Sequence, residues 1–349
     1  MRRHLARWRA RTRRLGEQWT VVRDEWRVER AVEEAVSGDG PILVGPWLSE
    51  VGYEILYWVP FLRWVTKAYR IAPERLVVMS RGGTASWYGD LAARYVDVFD
   101  YATPSDLARE VADGRLKQRD VSDFDRRLMA EATKTLGLRD VRLLHPSLMF
   151  HWFTPFWSGH EGVGYVDRHT RFVPVTAPND VPIPVTLPHE YVAVKLYTAR
   201  ALPDVPGMRE RLRGIVAAIA QRWPVVQLDT GLSLDDHADY HLGDAPRLVS
   251  VAGRLDPRTN LAAQTRIIAG ARMFVGTCGS LAWLAPMLGV NTVPVFSDAS
   301  FLHAHLHVAR RAYGRLPDAR FSPLDLNGIT DAGLTIAPGE RQPAGWRVS

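Results

Sequence analysis

The apolar positions of this chain fall into short runs separated by longer stretches of helical spacing, and the pattern occurs twice. Residues 41–44 (Pro-Ile-Leu-Val) form the first run and predict a strand. A loop over 45–52 follows, then a strongly apolar helix over 53–69. Runs at 76–79, 95–101 and 141–144 predict further strands, and 104–137 reads as polar helix. The pattern restarts with a strand over 191–197, a helix over 208–222, and strands at 225–228 and 247–251. Residues 260–296 close it with a helix, a strand at 271–275, a turn of small residues, an apolar helix over 281–288 ended by Gly289, and a strand at 292–296. Short strands alternating with helices predict parallel βαβ units, hence an α/β fold with two domains.

Residues 151–190 break this rhythm with six prolines and many aromatics, and are read as a flap and linker. The expected organisation is a basic helical arm (1–38), a first α/β domain (39–150), the linker (151–190) and a second α/β domain (191–349).

Charge changes this picture only at the N-terminus. The net charge of the 349 residues is +6, and residues 1–30 alone hold ten Arg against Glu17, Asp24, Glu25 and Glu29, so the remainder is neutral. A nucleic-acid binder would spread basic residues over its folded body, so no nucleic-acid partner is expected. Trp8, Trp19 and Trp26 interleave the arginines. That pattern suits an anionic membrane surface, and equally a helical extension packed on the body. No run approaches the ~20 apolar residues of a membrane span. The N-terminus lacks the apolar segment of a secretory signal. A single cysteine, Cys278, excludes an internal disulfide framework and fits a reducing cytosol.

The turn Gly276-Thr277-Cys278-Gly279-Ser280 feeds a helix, and a helix N-terminus presents free N–H groups suited to a diphosphate. Tight βαβ packing explains the small residues equally well. Lys195, Thr198 and Arg200 lie at the carboxyl end of the first strand of the second half, where parallel sheets bind ligands. Lys195 is within the strand and reads also as a structural ion-pair partner. Tyr57, Trp58, Phe61 and Trp64 read as core by their helical spacing. Cys278 reads as a small packing residue. Ser80-Arg81-Gly82-Gly83-Thr84 reads as a turn lining an acceptor cleft. His303, His305 and His307 lack a nearby acid or cysteine set and predict no metal site.

The block 260–296 resembles the nucleotide-sugar signature of two-domain GT-B glycosyltransferases, and most of all that of the ADP-heptose:lipopolysaccharide heptosyltransferase family. Thr277-Cys278-Gly279 stands where that family has D-T-G, so Thr277 replaces its Asp, and Ala282 or Trp283 replaces its His. Ser280-Leu281-Ala282-Trp283 is also similar to the S-F-S-W-W helix of some fucosyltransferases. The segment from Gly45 to Arg63 resembles the heptosyltransferase motif G-D-x-L-x-x-x-P-x-L-R, whose Asp is the base. Anchoring on Pro60, Leu62 and Arg63 puts that acid at Glu54; anchoring on Gly52 puts Tyr53 there; Glu50 shares the loop. Either Glu also reads as a helix-capping acid.

The resemblance implies two Rossmann-like domains facing a cleft (GT-B). It implies a transferase moving a sugar from a nucleoside-diphosphate sugar to a glycan or lipid-linked saccharide, in cell-envelope polysaccharide biosynthesis. Glu54 or Glu50 would be the catalytic base. Thr198, Arg200, Gly253, Arg254, Thr277, Cys278, Gly279 and Ser280 would hold the donor. No cofactor or metal is expected, and the expected place of action is the cytoplasm, with docking on the inner membrane face as one option for the arm. A GT-B-fold epimerase, a pyruvyl transferase and a non-catalytic nucleotide-sugar-binding or scaffold protein are the alternatives. An epimerase would need more acids in the cleft.

Overall fold

The structure is a computed structural model and describes residues 25–112, 118–232, 237–243 and 246–328. The arm expected over 1–38 therefore lies mostly outside the described residues; its described end, 25–36, is helical.

The first half forms a four-stranded parallel sheet of β1 (Ile42–Val44), β2 (Leu76–Ser80), β3 (Arg94–Asp97) and β4 (Arg142–Leu144), in the order β3-β2-β1-β4. The second half forms a six-stranded parallel sheet of β5 (Val192–Lys195), β6 (Val225–Gln227), β7 (Leu248–Ser250), β8 (Met273–Thr277), β9 (Asn291–Phe296) and β10 (Leu324–Asp325), in the order β10-β9-β8-β5-β6-β7. The fold is α/β, with two parallel sheets as expected. In each, the chain leaves the first strand toward one side and later returns to its other side. The switch points fall between β1 and β4 and between β5 and β8.

The strands read as unbroken apolar runs because both faces are covered. Along β1 and β2, Ile42, Val44, Leu76 and Val78 enter one core cluster, while Leu43, Val77 and Met79 enter another. In β5 and β8, Ala193 and Phe274 face one cluster and Val192, Val194, Met273 and Val275 the opposite one. The cluster holding Ile42 and Ala193 is common to both halves and extends from Val28 to Tyr313.

Helix α1 spans 51–68 and is not regular. Val51–Tyr53 opens it, Glu54–Trp58 is a π-helical segment, and Val59–Ala68 continues as α-helix. Pro60 supplies the reason. It has no N–H, and its ring clashes with the carbonyl four residues back, so the ladder widens and the Val59 N–H reaches the Glu54 carbonyl. The wide turn buries every residue from Glu54 to Trp58, and Tyr57, Trp58 and Phe61 are core, as their spacing predicted.

The polar stretch predicted as helix over 104–137 contains Pro104–Ala112 and α2 (Asp123–Thr135). The predicted strand over 95–101 stops at Asp97, whose carboxylate accepts the Phe99 N–H and turns the chain into a short 3-10 segment. The second half adds α3 (Met208–Arg222), α4 (Asn260–Gly270), α5 (Leu281–Met287) and α6 (His303–Tyr313). Helix α6 packs back onto Val163–Arg168 and the π segment of α1, with the Tyr57 hydroxyl 2.7 Å from His305 Nδ1. The three histidines are thus on a helix, with His303 and His307 exposed.

Candidate active site

The carboxyl edges of both sheets open onto one cleft. The first half contributes Val51, at the start of α1, and Arg81, just past β2. The second half contributes Lys195 at the end of β5 and Tyr197 past it, Thr230, Leu232, His237 and Asp239 past β6, Asn260, Leu261 and Gln264 on α4, and Ser280 and Leu281 at the start of α5. A switch point of a parallel sheet is where two crossovers diverge and leave a crevice, and this cleft adjoins that of the second sheet.

The turn carrying Arg81 is pinned at every residue. The Ser80 hydroxyl donates to Glu54 Oε1 at 2.6 Å. Arg81 Nη2 donates to the Ser49 carbonyl at 2.9 Å. The Gly82 carbonyl accepts the Leu261 and Ala262 N–H groups at 3.0 Å each, satisfying first-turn donors of α4 from the opposite half. The Gly83 N–H reaches Asp97 at 2.8 Å, and the Thr84 N–H reaches the Tyr95 hydroxyl at 3.1 Å. Gly82 and Gly83 have φ of +73° and +76°. A Cβ on either would stand 2.9 Å from Leu261 Cγ or 3.0 Å from Ala262 Cβ, so both conformation and docking require glycine. The opposing loop is equally fixed: Gln118 accepts the Leu48 N–H at 2.8 Å and donates to the Pro46 carbonyl at 2.8 Å.

Glu54 is fully buried and is not among the lining residues. Its Oε1 accepts from Ser80 and from the Tyr88 hydroxyl at 2.6 Å each, while Oε2 has no partner. Burial pushes its carboxyl up to about 7; the two hydroxyls and Arg81 pull the other way. Burial likewise raises Asp97 to about 6, against hydrogen bonds from Phe99, Gly83 and Tyr95. Glu50 stands at the mouth of α1, half-buried, beside the lining residue Val51, and makes no side-chain cap to the helix.

Of the donor-binding residues that the resemblance implies, Ser280 alone is in the lining, together with Lys195 from the strand end. Ser280 has φ of +39°, a strained value for a side chain with a Cβ. Thr277 is buried, and its hydroxyl accepts the Tyr197 N–H and donates to the Tyr197 carbonyl, both at 2.9 Å. It thus carries the β5–β8 pairing one step past Lys195 and Gly276. Cys278 is buried, its thiol pushed up to about 12 by that burial, as a packing residue would be. Gly279, at φ +147°, leaves the room that the Tyr197 hydroxyl occupies. The Thr198 hydroxyl exchanges two hydrogen bonds with the backbone of Ala238, its N–H donates a third, and the residue so holds the segment bearing His237 and Asp239. Arg200 is exposed and lies over the Phe301 ring at 5.2 Å. Gly253 donates to the Thr230 carbonyl, and both Gly253 and Arg254 are exposed beside the cleft rather than in it. Lys195 is the ion-pair partner its position suggested: Nζ is 2.5 Å from Asp239, which also accepts the Thr230 N–H at 2.7 Å.

The one Asp-x-Asp of the chain, Asp123-Phe124-Asp125, opens α2 and is not part of the cleft lining. Asp125 closes a capping box with Ser122 and lies 3.5 Å from His145, while Asp123 is fully exposed.

Thr277→Val is expected to cost about 1–3 kcal/mol, because two buried backbone groups of Tyr197 lose their partner. Thr277→Ser keeps the hydroxyl and loses much less. Chemical denaturation of both variants separates a structural from a ligand-binding role for this residue.

No family model and no curated protein matches the chain. Solved structures with a similar course include three glycosyltransferases. TibC, an iron-containing dodecameric enzyme of enterotoxigenic Escherichia coli, is 13% identical, with 74% of this chain and 58% of TibC covered at a TM-score of 0.36. The chain thus spans less than two thirds of TibC. The ADP-heptose LPS heptosyltransferase II of E. coli is 14% identical over 75% of this chain and 86% of its own, at 0.39. A family 9 glycosyltransferase of Veillonella parvula is 10% identical over 74% and 80%, at 0.41. At such scores the likeness leaves reaction and substrate to be argued from the residues.

Proposed function

We propose that the chain is a glycosyltransferase. It takes a sugar from a nucleoside-diphosphate sugar and passes it to a glycan or lipid-linked saccharide, without a metal. The observation that carries this reading is a polar cleft onto which both parallel sheets turn their carboxyl edges, with a cation from each half in its lining. A transfer needs positive charge at the leaving diphosphate, a base at the acceptor hydroxyl and shelter from water. In the proposal, 39–150 is the acceptor side, 191–349 the donor side, 151–190 the bridge, and the basic residues within 1–30 meet an anionic membrane surface from the cytoplasm. The product would enter cell-envelope polysaccharide.

Glu54 and Glu50 divide the requirements of the base. Glu54 has the pKa a base needs near neutrality, while Glu50 is next to the cleft. Among the described lining residues the one carboxylate is Asp239, held by Lys195, which favours transfer over an epimerisation needing several free acids.

A panel of ADP, GDP, UDP, CMP, dTDP and the corresponding nucleotide sugars tests the reading by thermal shift. One nucleotide at about 100 times its Kd should add about 2.7 kcal/mol and raise the midpoint by several degrees. Turnover with that donor should fall about 10²- to 10⁴-fold in whichever of Glu54→Gln and Glu50→Gln removes the base. If every nucleotide at millimolar concentration leaves the midpoint unchanged, the reading is wrong.

A further inference from the structure

The second-half residues that the turn over 276–280 would offer to a diphosphate are largely engaged elsewhere. Thr277 is bound to Tyr197, Cys278 is packed, and the Cys278 N–H is given to the Val295 carbonyl. Arg200 and Arg254 lie outside the lining. Lys195 is in the cleft, yet its charge is matched by Asp239 at 2.5 Å. Arg81 differs from all of these. Its residue is 2% exposed, its guanidinium donates to a neutral carbonyl, and among the described residues its Nε has no partner. Among the described residues it forms no ion pair, and it borders the cleft. The nearby Glu54 carboxyl feels this charge but makes no direct pair with it, and burial holds Glu54 protonated up to about pH 7. A buried guanidinium with no direct ion pair is costly to the free protein, and an anion entering beside it recovers that cost. The turn that carries it is fixed by Glu54, Asp97 and α4, so little order is lost when a ligand arrives. Gln264, on the facing helix, is also buried and lining, with its Oε1 unpartnered and thus free to accept from a ligand hydroxyl.

We propose that Arg81, from the first half of the chain, is the residue that takes the diphosphate of the donor. This rests on the reading of the cleft as a nucleotide-sugar site. The leaving group is then gripped from the side opposite to the sheet that would hold its nucleoside, and a guanidinium is suited to two phosphate oxygens at once. Loss of this contact weakens nucleoside-diphosphate binding by about 10- to 100-fold, the size of a charge-assisted hydrogen bond, and leaves binding of the bare nucleoside unchanged.

The test is calorimetric titration of the full chain and of Arg81→Gln, Arg81→Lys and Arg200→Gln. The probes are inorganic pyrophosphate, the nucleoside diphosphate that stabilises the wild type, and its nucleoside. The expected result is that Arg81→Gln loses pyrophosphate and the preference for diphosphate over nucleoside, while Arg81→Lys retains part of both. Without ligand, Arg81→Gln should unfold at the same temperature as the wild type or higher, since a buried unpaired charge has gone; a merely structural arginine would lower it. The proposal is overturned if Arg81→Gln keeps both preferences, or if the wild type ignores pyrophosphate and every diphosphate alike. Pyrophosphate bound through Arg81 with no nucleotide bound would leave the anion site standing and remove the nucleotide-sugar reading.

Discussion

Gly82→Ala is expected to lower stability by about 2–5 kcal/mol. A left-handed backbone costs about 1–2 kcal/mol for a residue with a Cβ, and forcing a methyl into a packed contact costs about 1–3 kcal/mol more. Both apply here, because φ is +73° and the added atom would lie 2.9 Å from the buried Leu261 Cγ and 3.1 Å from Asn260 Nδ2. Gly137→Ala is the control. Its φ is +63° with nothing within 4 Å of the new atom, so only the backbone cost remains. Denaturant unfolding of both variants isolates the contact between the halves as the difference. Equal losses would mean that the turn yields without strain and that the halves are not held at this point. Since the same turn carries Arg81, Gly82→Ala should also reduce stabilisation by whichever nucleotide binds.

This docking was not legible in the sequence, although its parts were. The strands of both sheets were, because a strand buried on two faces is a run of Val, Ile, Leu and Met that needs no partner to be seen. The order in which those strands pair was not, since pairing is decided by where the crossovers pack. The segment 80–84 read as a turn on the cleft, which is its place, yet nothing local marks Arg81 as the buried cation of that turn. The turn is docked through the Gly82 carbonyl on α4, about 180 residues away, and the Arg81 guanidinium is turned to the Ser49 carbonyl. The clue available was positional: a charged residue directly after an apolar strand, at a carboxyl edge.

The structural engagement of Thr277 was hidden for a related reason. A hydroxyl in a small-residue turn suits a phosphate or a backbone equally well. The choice was made by Tyr197, whose N–H and carbonyl continue the β5–β8 pairing. Helix α6 escaped prediction because His303, His305, His307, Arg310 and Arg311 hide an apolar stripe of Leu306, Ala309 and Tyr313, which is buried only because the chain folds back onto the first half.

Between pH 4.5 and 7, Glu54 should make the protein less stable as pH rises, by up to roughly 3 kcal/mol across the window. The sign follows from the direction of the shift. In the unfolded chain the carboxyl ionises near 4.5; in the folded chain burial holds its proton until about 7. Below 4.5 both states are protonated and the contribution to stability is complete. Through the window only the unfolded state releases the proton, so that contribution drains away, and above about 7 it is gone. Asp97 adds a fall of the same sign between its ordinary 3.8 and about 6. Carboxylates held low, such as Asp90 beside Arg63 and Asp106 beside Thr103, act oppositely and at lower pH. The difference between wild type and Glu54→Gln isolates the one group. The glutamine can still accept from Ser80 and Tyr88 and has no proton to lose. It should therefore flatten the curve between pH 5 and 7 and unfold at higher temperature than the wild type at pH 8. Parallel curves for the two proteins would show that Glu54 stays ionised when folded, with Arg81 as its counter-charge outweighing burial. The stability result also bears on catalysis. A buried proton acceptor poised near neutrality costs stability that glutamine does not, so stability and turnover should move in opposite directions on replacement. A Glu54→Gln protein that is more stable at pH 8 and transfers sugar about 10²- to 10⁴-fold more slowly would mark Glu54 as the base. Equal stability gain with undiminished turnover would pass that role to Glu50, at the edge of the cleft.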